Sequence, residues 1–388
     1  MDWSVVYMMI LPMLVAMLVV VVIHPLLVKI ARRKHIVDNP SARKLNKEPV
    51  PILGGVGVVC GILFGIGVTI CYSFDVNIPV AVVIALVIML YTGVGDDILD
   101  FEPRRKFVLQ IFVVLLMILS AEVYVDNLHG VWGVEYLPRI LSFALTLVAA
   151  VGVINAINLI DGVDGLCAVY VIFVALSLGL FLLVRGDVGY AVIAFATIGA
   201  LVPFALHNMY GTKYKMFLGD GGSLVLGFIA AMLALRVVQM GSGDMGVNAE
   251  AFAFAVLSVP VCDTLRVMAV RVAHGYSPFR PDKRHLHHQF IALGLSHRVT
   301  TFAVVALGGV VVVVLWLSAM GGAAASVQLW TVIAAGAVVV WGAYFMMSYM
   351  LNHNDRWVMA LRGRMLRYGN KHRGAVVEQL QRVLDDKV

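Results

Sequence analysis

What constrains this chain most is a repeat of length rather than of sequence. Apolar runs of about 20 residues follow one another from end to end, separated by short polar connections. Wound as a helix, a run of that length crosses a ~30 Å hydrocarbon core. The runs are read at 4–24, 52–72, 79–95, 107–123, 138–156, 166–184, 189–206, 222–239, 251–272, 299–318 and 329–350. Only 13% of residues are charged, where soluble domains carry roughly a quarter, and the mean hydropathy is +0.93. A soluble globular domain is excluded. The expectation is an all-α, polytopic integral membrane protein of about eleven transmembrane helices. Residues 1–350 form its membrane domain, which carries the site, and residues 351–388 form a basic tail. The first run exceeds a signal-peptide core and has no small-residue cleavage site behind it, so a retained helix is expected.

Basic residues orient the bundle. Most of the 29 Lys and Arg fall in the connections 25–51, 96–106, 207–221 and 273–298 and in the tail from 351. The other side holds Arg139, Arg185 and Arg236. The basic side is therefore expected to be cytoplasmic, with the N-terminus outside and the C-terminus inside. The net charge of +6 is mostly this topology signal, so no nucleic-acid partner is expected. Cys60, Cys71, Cys167 and Cys262 lie in or at the ends of spans without metal-type spacing and read as buried small hydrophobes.

Four polar clusters fall on that same face: "VGDDILDFEPRRK" (94–106), "NAINLIDGVDG" (155–165), "HNMYGTKYKMFLGDGGS" (207–223) and "SPFRPDKRHLHH" (277–288). One-sided clustering is what a single site built from helix ends produces. Asp96, Asp97 and Asp100 end a helix, where the macrodipole disfavours negative charge and neighbouring carboxylates repel. A metal ion or Arg104, Arg105 and Lys106 must offset them; a solvated helix end neutralised by those three is the plain alternative. Gly93 and Gly95 favour function, since they permit close approach of backbone or ligand.

Asn155, Asn158, Asp161 and Asp164 recur every three residues and would spiral around an unbroken helix. They converge only if the helix ends near Asn158 and Gly162 and Gly165 bend the chain. Interhelical hydrogen bonding by the amides is the structural alternative. Their oxygens suit a hard cation such as Mg²⁺. Asp220 stands among glycines just before Ser223, where a helix start could hold an anion or Asp220 could serve only as a cap. For His285, His287 and His288, zinc lacks a closing ligand pattern, and a basic loop on anionic lipid is the bland reading. A phosphate clamp, in which Lys283, Arg284 and the histidines donate to anionic oxygens, is the economical choice. Oxygen ligands for a cation facing a basic clamp make a generic phosphoryl-transfer site.

Taken in order, "VDNPSARKLNKEPVPILGG", "VGDDILDF", "NAINLIDGVDGL", "KMFLGDGGSLVLGF" and "SPFRPDKRHLHH" resemble the polyprenyl-phosphate N-acetylhexosamine-1-phosphate transferase superfamily over roughly residues 30–295. "GTKYKMFLGD" and "SPFRPDKRHLHH" are most similar to its WecA-like branch, less so to the branch that transfers phospho-MurNAc-pentapeptide. The resemblance implies transfer of GlcNAc-1-phosphate, or a related HexNAc-1-phosphate, from a UDP-sugar to polyprenyl (undecaprenyl) phosphate. The products are polyprenyl-pyrophosphoryl-sugar and UMP, the first membrane step of a cell-surface glycan such as O-antigen. It implies Mg²⁺, with Mn²⁺ as the substitute, and a multi-pass protein of the bacterial inner membrane working on its cytoplasmic face.

By the same resemblance Asp96 and Asp97 are catalytic, meeting the lipid phosphate to deprotonate or orient it, and Asp220 binds the metal with Asn158 as second ligand. Lys106, Asp161 and Asp164 touch the nucleotide-sugar, Asn208 lies near the nucleoside, and Arg284, His285, His287 and His288 grip the pyrophosphate. One departure stands out: the first loop reads Arg43-Lys44-Leu45-Asn46 where the family has His at the last position. The tail, with Trp357, Leu361, Met365 and Leu366 among arginines, is expected to lie along the inner leaflet. A homodimer is left open. The competing class is a secondary transporter, for which Asp263 and Arg266 in the ninth run are the best pair.

Overall fold

The computed structural model describes residues 3–39, 49–72, 76–243, 246–279 and 284–353, with 359–360, 363, 381 and 383–385 of the tail. The described residues are predominantly helical. Its elements are α1 (Trp3–Arg33), β1 (Val37–Asp38), β2 (Val50–Pro51), α2 (Gly54–Tyr72), α3 (Val80–Leu99), α4 (Pro103–Ser120), α5 (Arg139–Leu159), α6 (Leu166–Val184), α7 (Val188–Tyr210), α8 (Gly219–Met240), α9 (Ala249–Ala273), α10 (Leu286–Ala292), α11 (His297–Met320) and α12 (Ala325–Asn352). The two strands form a short antiparallel pair, Val37 opposite Pro51. In hydrocarbon every backbone polar group must be satisfied within the segment, and a helix does this where an open strand cannot.

Among the described residues, ten helices are long and apolar enough to span a bilayer. The remaining expected span, 107–123, is α4, whose 18 residues begin with Arg104, Arg105 and Lys106 just after Pro103. Side-chain exposure agrees with a lipid environment: Leu18, Val22, Ile140, Val148, Leu317 and Val338 lie open on helix faces that no water-soluble protein would leave uncovered. Helices α7 and α8 run through the centre, with 94% of the α8 span buried, whereas α11 and α12 are 22% buried and sit at the periphery. Of the cysteines, Cys167 and Cys262 are buried, but Cys71 is exposed at the end of α2, contrary to the expectation for all four.

Chain direction alternates, so the C-terminal ends of α1, α3, α5, α7 and α9 meet the N-terminal ends of α2, α4, α6, α8 and α11 at one end of the bundle. Cross-contacts tie that end together: Gly54 N–H donates to the Phe217 carbonyl, and the Thr301 hydroxyl donates to the Asp164 carbonyl. The four polar clusters therefore share one end, as their placement along the sequence predicts. The loop segments 40–48 and 280–283 and most of the tail lie outside the described residues. With them lie the Arg43–Asn46 departure, Arg280, Lys283 and the apolar residues of the expected leaflet-lying tail. One described tail residue, Asp385, accepts from the Lys213 N–H at 3.0 Å and from Thr212.

Candidate active site

The site forms where α3 meets α8. Gly93 permits the approach: a Cβ there would sit 2.3 Å from the Asp220 carbonyl oxygen, so no larger residue fits. Helix α8 opens at Gly219, whose φ of 73° is a left-handed conformation that glycine adopts freely. The freed N–H groups of Asp220 and Gly221 donate to Asp97 Oδ1 and Oδ2 at 3.0 and 3.1 Å. Asp97 thus caps a helix that begins more than a hundred residues later, a role its own sequence neighbourhood does not announce.

Asp96 is buried and turns the other way. It accepts from the Phe101 N–H at 2.8 Å and pairs with the Lys106 ammonium. Lys106 Nζ also donates to Asp220 Oδ2 at 2.9 Å, so one cation bridges two carboxylates from α3 and α8. Asn158, at the end of α5, donates through Nδ2 to Asp220 Oδ1 at 3.2 Å and to Ser223 Oγ at 2.8 Å. Five residues predicted from sequence, Asp96, Asp97, Lys106, Asn158 and Asp220, are therefore in one cluster. Asp100 is not: it ends α3 in a left-handed conformation and is exposed. Asn155 also departs from the pocket, donating to Gln110 Oε1 at 2.7 Å in an amide pair that joins α5 to α4.

Helix α5 does end at Leu159, and the loop that follows carries the remaining acids. Asp161 faces Asp220, Asp97 and Asp164 and has no cationic partner among the described residues; burial first, then those charges, push its carboxyl up to about 8. Asp164 is the opposite case. Burial works against its charge, but the His297 hydrogen bond and the Lys215 ammonium outweigh it and hold the carboxyl below the usual range. Lys215 Nζ and His297 Nδ1 lie 2.6 and 3.0 Å from Asp164 Oδ2, and Thr301 donates to its carbonyl. Asn208, fully engaged, accepts from the Gly165 N–H at 2.5 Å and donates to the Met216 carbonyl at 2.8 Å. Both polar atoms of Asn208 are occupied by backbone, so in this geometry it braces two loops. Lys215 stood in a quoted motif without a role, and nothing in the sequence signalled His297.

The histidine segment borders the same loop. His287 is buried with Nε2 close to Gly162, where a Cβ would stand 3.0 Å away. Its imidazole lies 4.2 Å from that of His288 and stacks with that of His285 at 5.8 Å. Burial, then the neighbouring His288 and His285, lower the His287 pKa to about 3. His287 is therefore neutral at pH 7 and can offer an anion one N–H but no charge, which narrows its part in a phosphate clamp. The Arg284 carbonyl accepts from Arg266 at 2.6 Å.

Among the described residues, no three His, Cys, Asp or Glu side chains converge as ligands of one metal ion. That tells against a zinc centre, which needs three or four protein ligands. A Mg²⁺ ion needs fewer, because it keeps water and substrate phosphate in its shell and takes only one or two carboxylates from protein. The donors here are all hard oxygens. Asp161 lies beside the carboxyl groups of Asp220, Asp97 and Asp164, a donor set whose mutual repulsion a hard cation relieves, so the residues fit such an ion.

A helical bundle spanning the membrane, with one end built of opposed carboxylates and cations, is the class of a membrane-embedded site for anionic, phosphate-bearing substrates. Residues 79–238, from the start of α3 to the end of α8, match the model of the family described as glycosyl transferase family 4. The matched segment holds all of the acids above. The chain is 30% identical over 291 residues to the undecaprenyl-phosphate alpha-N-acetylglucosaminyl 1-phosphate transferase of Haemophilus influenzae, covering 73% of this chain and 78% of that protein. A protein of the same name from Salmonella typhi is 29% identical over 289 residues, covering 73% and 77%. The one from Pasteurella multocida is 28% identical over 353 residues, covering 88% and 94%. This chain belongs to that glycosyl transferase family.

Proposed function

We propose that the protein transfers GlcNAc-1-phosphate, or a closely related HexNAc-1-phosphate, from a UDP-sugar to undecaprenyl or another polyprenyl phosphate. A lipid phosphate oxygen attacks the β-phosphorus of the UDP-sugar, the bond to the bridging oxygen breaks, and UMP leaves. The observation that carries this reading is the Asp96–Lys106–Asp220 bridge beside the Asp97-capped start of α8, inside the segment that defines the family. Phosphoryl transfer asks the protein chiefly for positioning and charge neutralisation.

In this reading Asp220 and Asn158 hold Mg²⁺, or Mn²⁺ in its place, with Asp161 close enough in charge to gain from it. When bound, the ion neutralises phosphate charge. Asp96 and Asp97 orient the lipid phosphate at the end of α3. Lys106 exchanges a carboxylate for a phosphate oxygen, and Arg284 with the histidines contacts the pyrophosphate. Both oxygens of Asp97 accept helix N–H groups, which makes a poor nucleophile, so direct attack is favoured over a covalent aspartyl intermediate. The basic connections argue for a cytoplasmic site in the inner membrane. A transporter would carry its acids near the midplane, whereas these stand at helix ends.

The test is UMP release by the purified protein from UDP-GlcNAc, with and without polyprenyl phosphate and Mg²⁺. Release that needs both supports the reading; lipid-independent release, or none from any of a panel of UDP-HexNAc donors, contradicts it.

A further inference from the structure

The residues that anchor the histidine segment lie outside the family-matched stretch. Asp263, in α9, is buried and meets that segment at two residues. Its Oδ2 lies 2.9 Å from His285 Nδ1, both of its oxygens face the Leu286 N–H at 3.1 and 3.2 Å, and its Oδ1 accepts from Arg266 Nη2 at 2.7 Å. Arg266, also buried, reaches on to the Arg284 carbonyl and lies 3.5 Å from the centroid of the Tyr344 ring on α12. Its Nε and Nη1 have no hydrogen-bond partner among the described residues.

Burying a charged pair and leaving guanidinium groups unsatisfied is costly, and apolar residues of similar size would pack at least as well. What the pair supplies is direction. An ionised carboxylate is an acceptor only, so the ring nitrogen facing it must carry the proton. His285 is thereby held in one ring orientation with Nε2 turned away from Asp263. His285 stacks in turn with His287, whose Nε2 borders Gly162 beside Asp161.

We infer that Asp263 is a positioning residue that sets the ring orientation and tautomer of His285 and thereby the seating of Arg284–His288 against the 160–165 loop. Arg266 holds the same carboxylate from its other side and fixes the backbone at Arg284. Asp263 acts through His285 and does not meet substrate. The inference rests on the functional reading above.

Two measurements on the full chain test it. In the wild-type protein, ¹⁵N imidazole spectra, with the His285 signals assigned by their loss in His285→Gln, should show Nδ1 protonated; a His285 with bare Nδ1 overturns the inference whatever the protein's activity. In the UMP-release assay, Asp263→Asn should lower kcat/KM about 10- to 100-fold, as loss of outer-shell orienting partners commonly does. Asp263→Glu should recover part of it, and Asp263→Asn/His285→Gln should be no worse than His285→Gln alone. Losses that multiply in the double variant, or an Asp263→Asn within twofold of wild type, overturn the inference. Should Asp263→Asn fail to fold, by loss of its thermal transition, Asp263→Glu and the wild-type spectrum decide. A wild-type protein without lipid-dependent UMP release instead refutes the functional reading and leaves the spectrum to judge the positioning role.

Discussion

Both ends of the bundle hold polar residues in contact with one another, and they use them differently. At the end opposite the site, carboxylates find partners within the protein: Arg236 Nε lies 2.6 Å from Asp187 Oδ2, and His129 Nδ1 lies 2.7 Å from Glu250 Oε1. Asn248 there donates to Glu250 and accepts as the cap of α9, and Gln328 accepts from the Asn248 N–H. At the site end Asp96, Asp97, Asp161, Asp164 and Asp220 crowd together, with Lys106 and Lys215 as their described cationic contacts and His297 beside Asp164. Among the described residues Asp161 has only like charges near it. A bundle needs caps and ion pairs to close its loops, and the opposite end shows what that requires. The carboxyl groups crowded at the site end go beyond that requirement and are held together by the fold, as the perturbed acids of binding and catalytic sites are.

The comparison breaks most visibly at Asp97. Replacing it by Asn removes charge while keeping a side chain of the same shape at the start of α8, and UMP release should fall by about 10³-fold. An Asp97→Asn protein that turns over normally would reduce the carboxylate to a helix cap. Lys106→Gln should cost less, about tenfold to a hundredfold in kcat/KM, because it leaves Asp96 and Asp220 facing each other without a shared cation. Full activity in that variant would show that the bridge belongs only to the substrate-free state.

Asp161 predicts a pH effect on stability. Its carboxyl stands at about 8 in the fold against an ordinary 3.8, so the folded state holds the proton more tightly than the unfolded chain. The stability this gives is complete below about pH 4 and is lost as the pH rises toward 8. In thermal scans of the metal-free protein, Tm should therefore decline with rising pH more steeply in wild type than in Asp161→Asn. Added Mg²⁺ should restore part of the wild-type Tm near pH 8 and do little for the variant. Identical pH slopes would remove Asp161 from the account. The smallest effect is expected at Asp385: Asp385→Asn weakens the contact with Thr212 and Lys213 and should change turnover by no more than about twofold, as for most sites away from a core or buried network.

Much of this architecture could be read from the sequence, because span length and the one-sided distribution of Lys and Arg are local properties. The four polar clusters were visible for the same reason, and the glycine at 93 announced a close approach before its partner was known. What could not be read was pairing between distant elements. Asp97 reaches N–H groups that only the fold brings to it, and Asp164 is held by Lys215 and His297 from two other loops. Asn208 belongs to a site motif yet has both polar atoms bound to backbone. Asn155 keeps the three-residue rhythm of its neighbours but precedes the helix end, so it points at Gln110 on α4. Burial decided His287: a histidine run reads as cationic until one ring is shut away from water.

The most direct measurement sets one end of the molecule against the other. Asp220→Asn and Asp187→Asn would be purified alongside wild type and assayed for UMP release from UDP-GlcNAc with polyprenyl phosphate and Mg²⁺, and each Tm recorded. Loss of turnover in Asp220→Asn with its Tm retained, beside near-normal turnover and a lowered Tm in Asp187→Asn, is the result this account predicts. Equal turnover in the two variants, or a working Asp220→Asn, would contradict it.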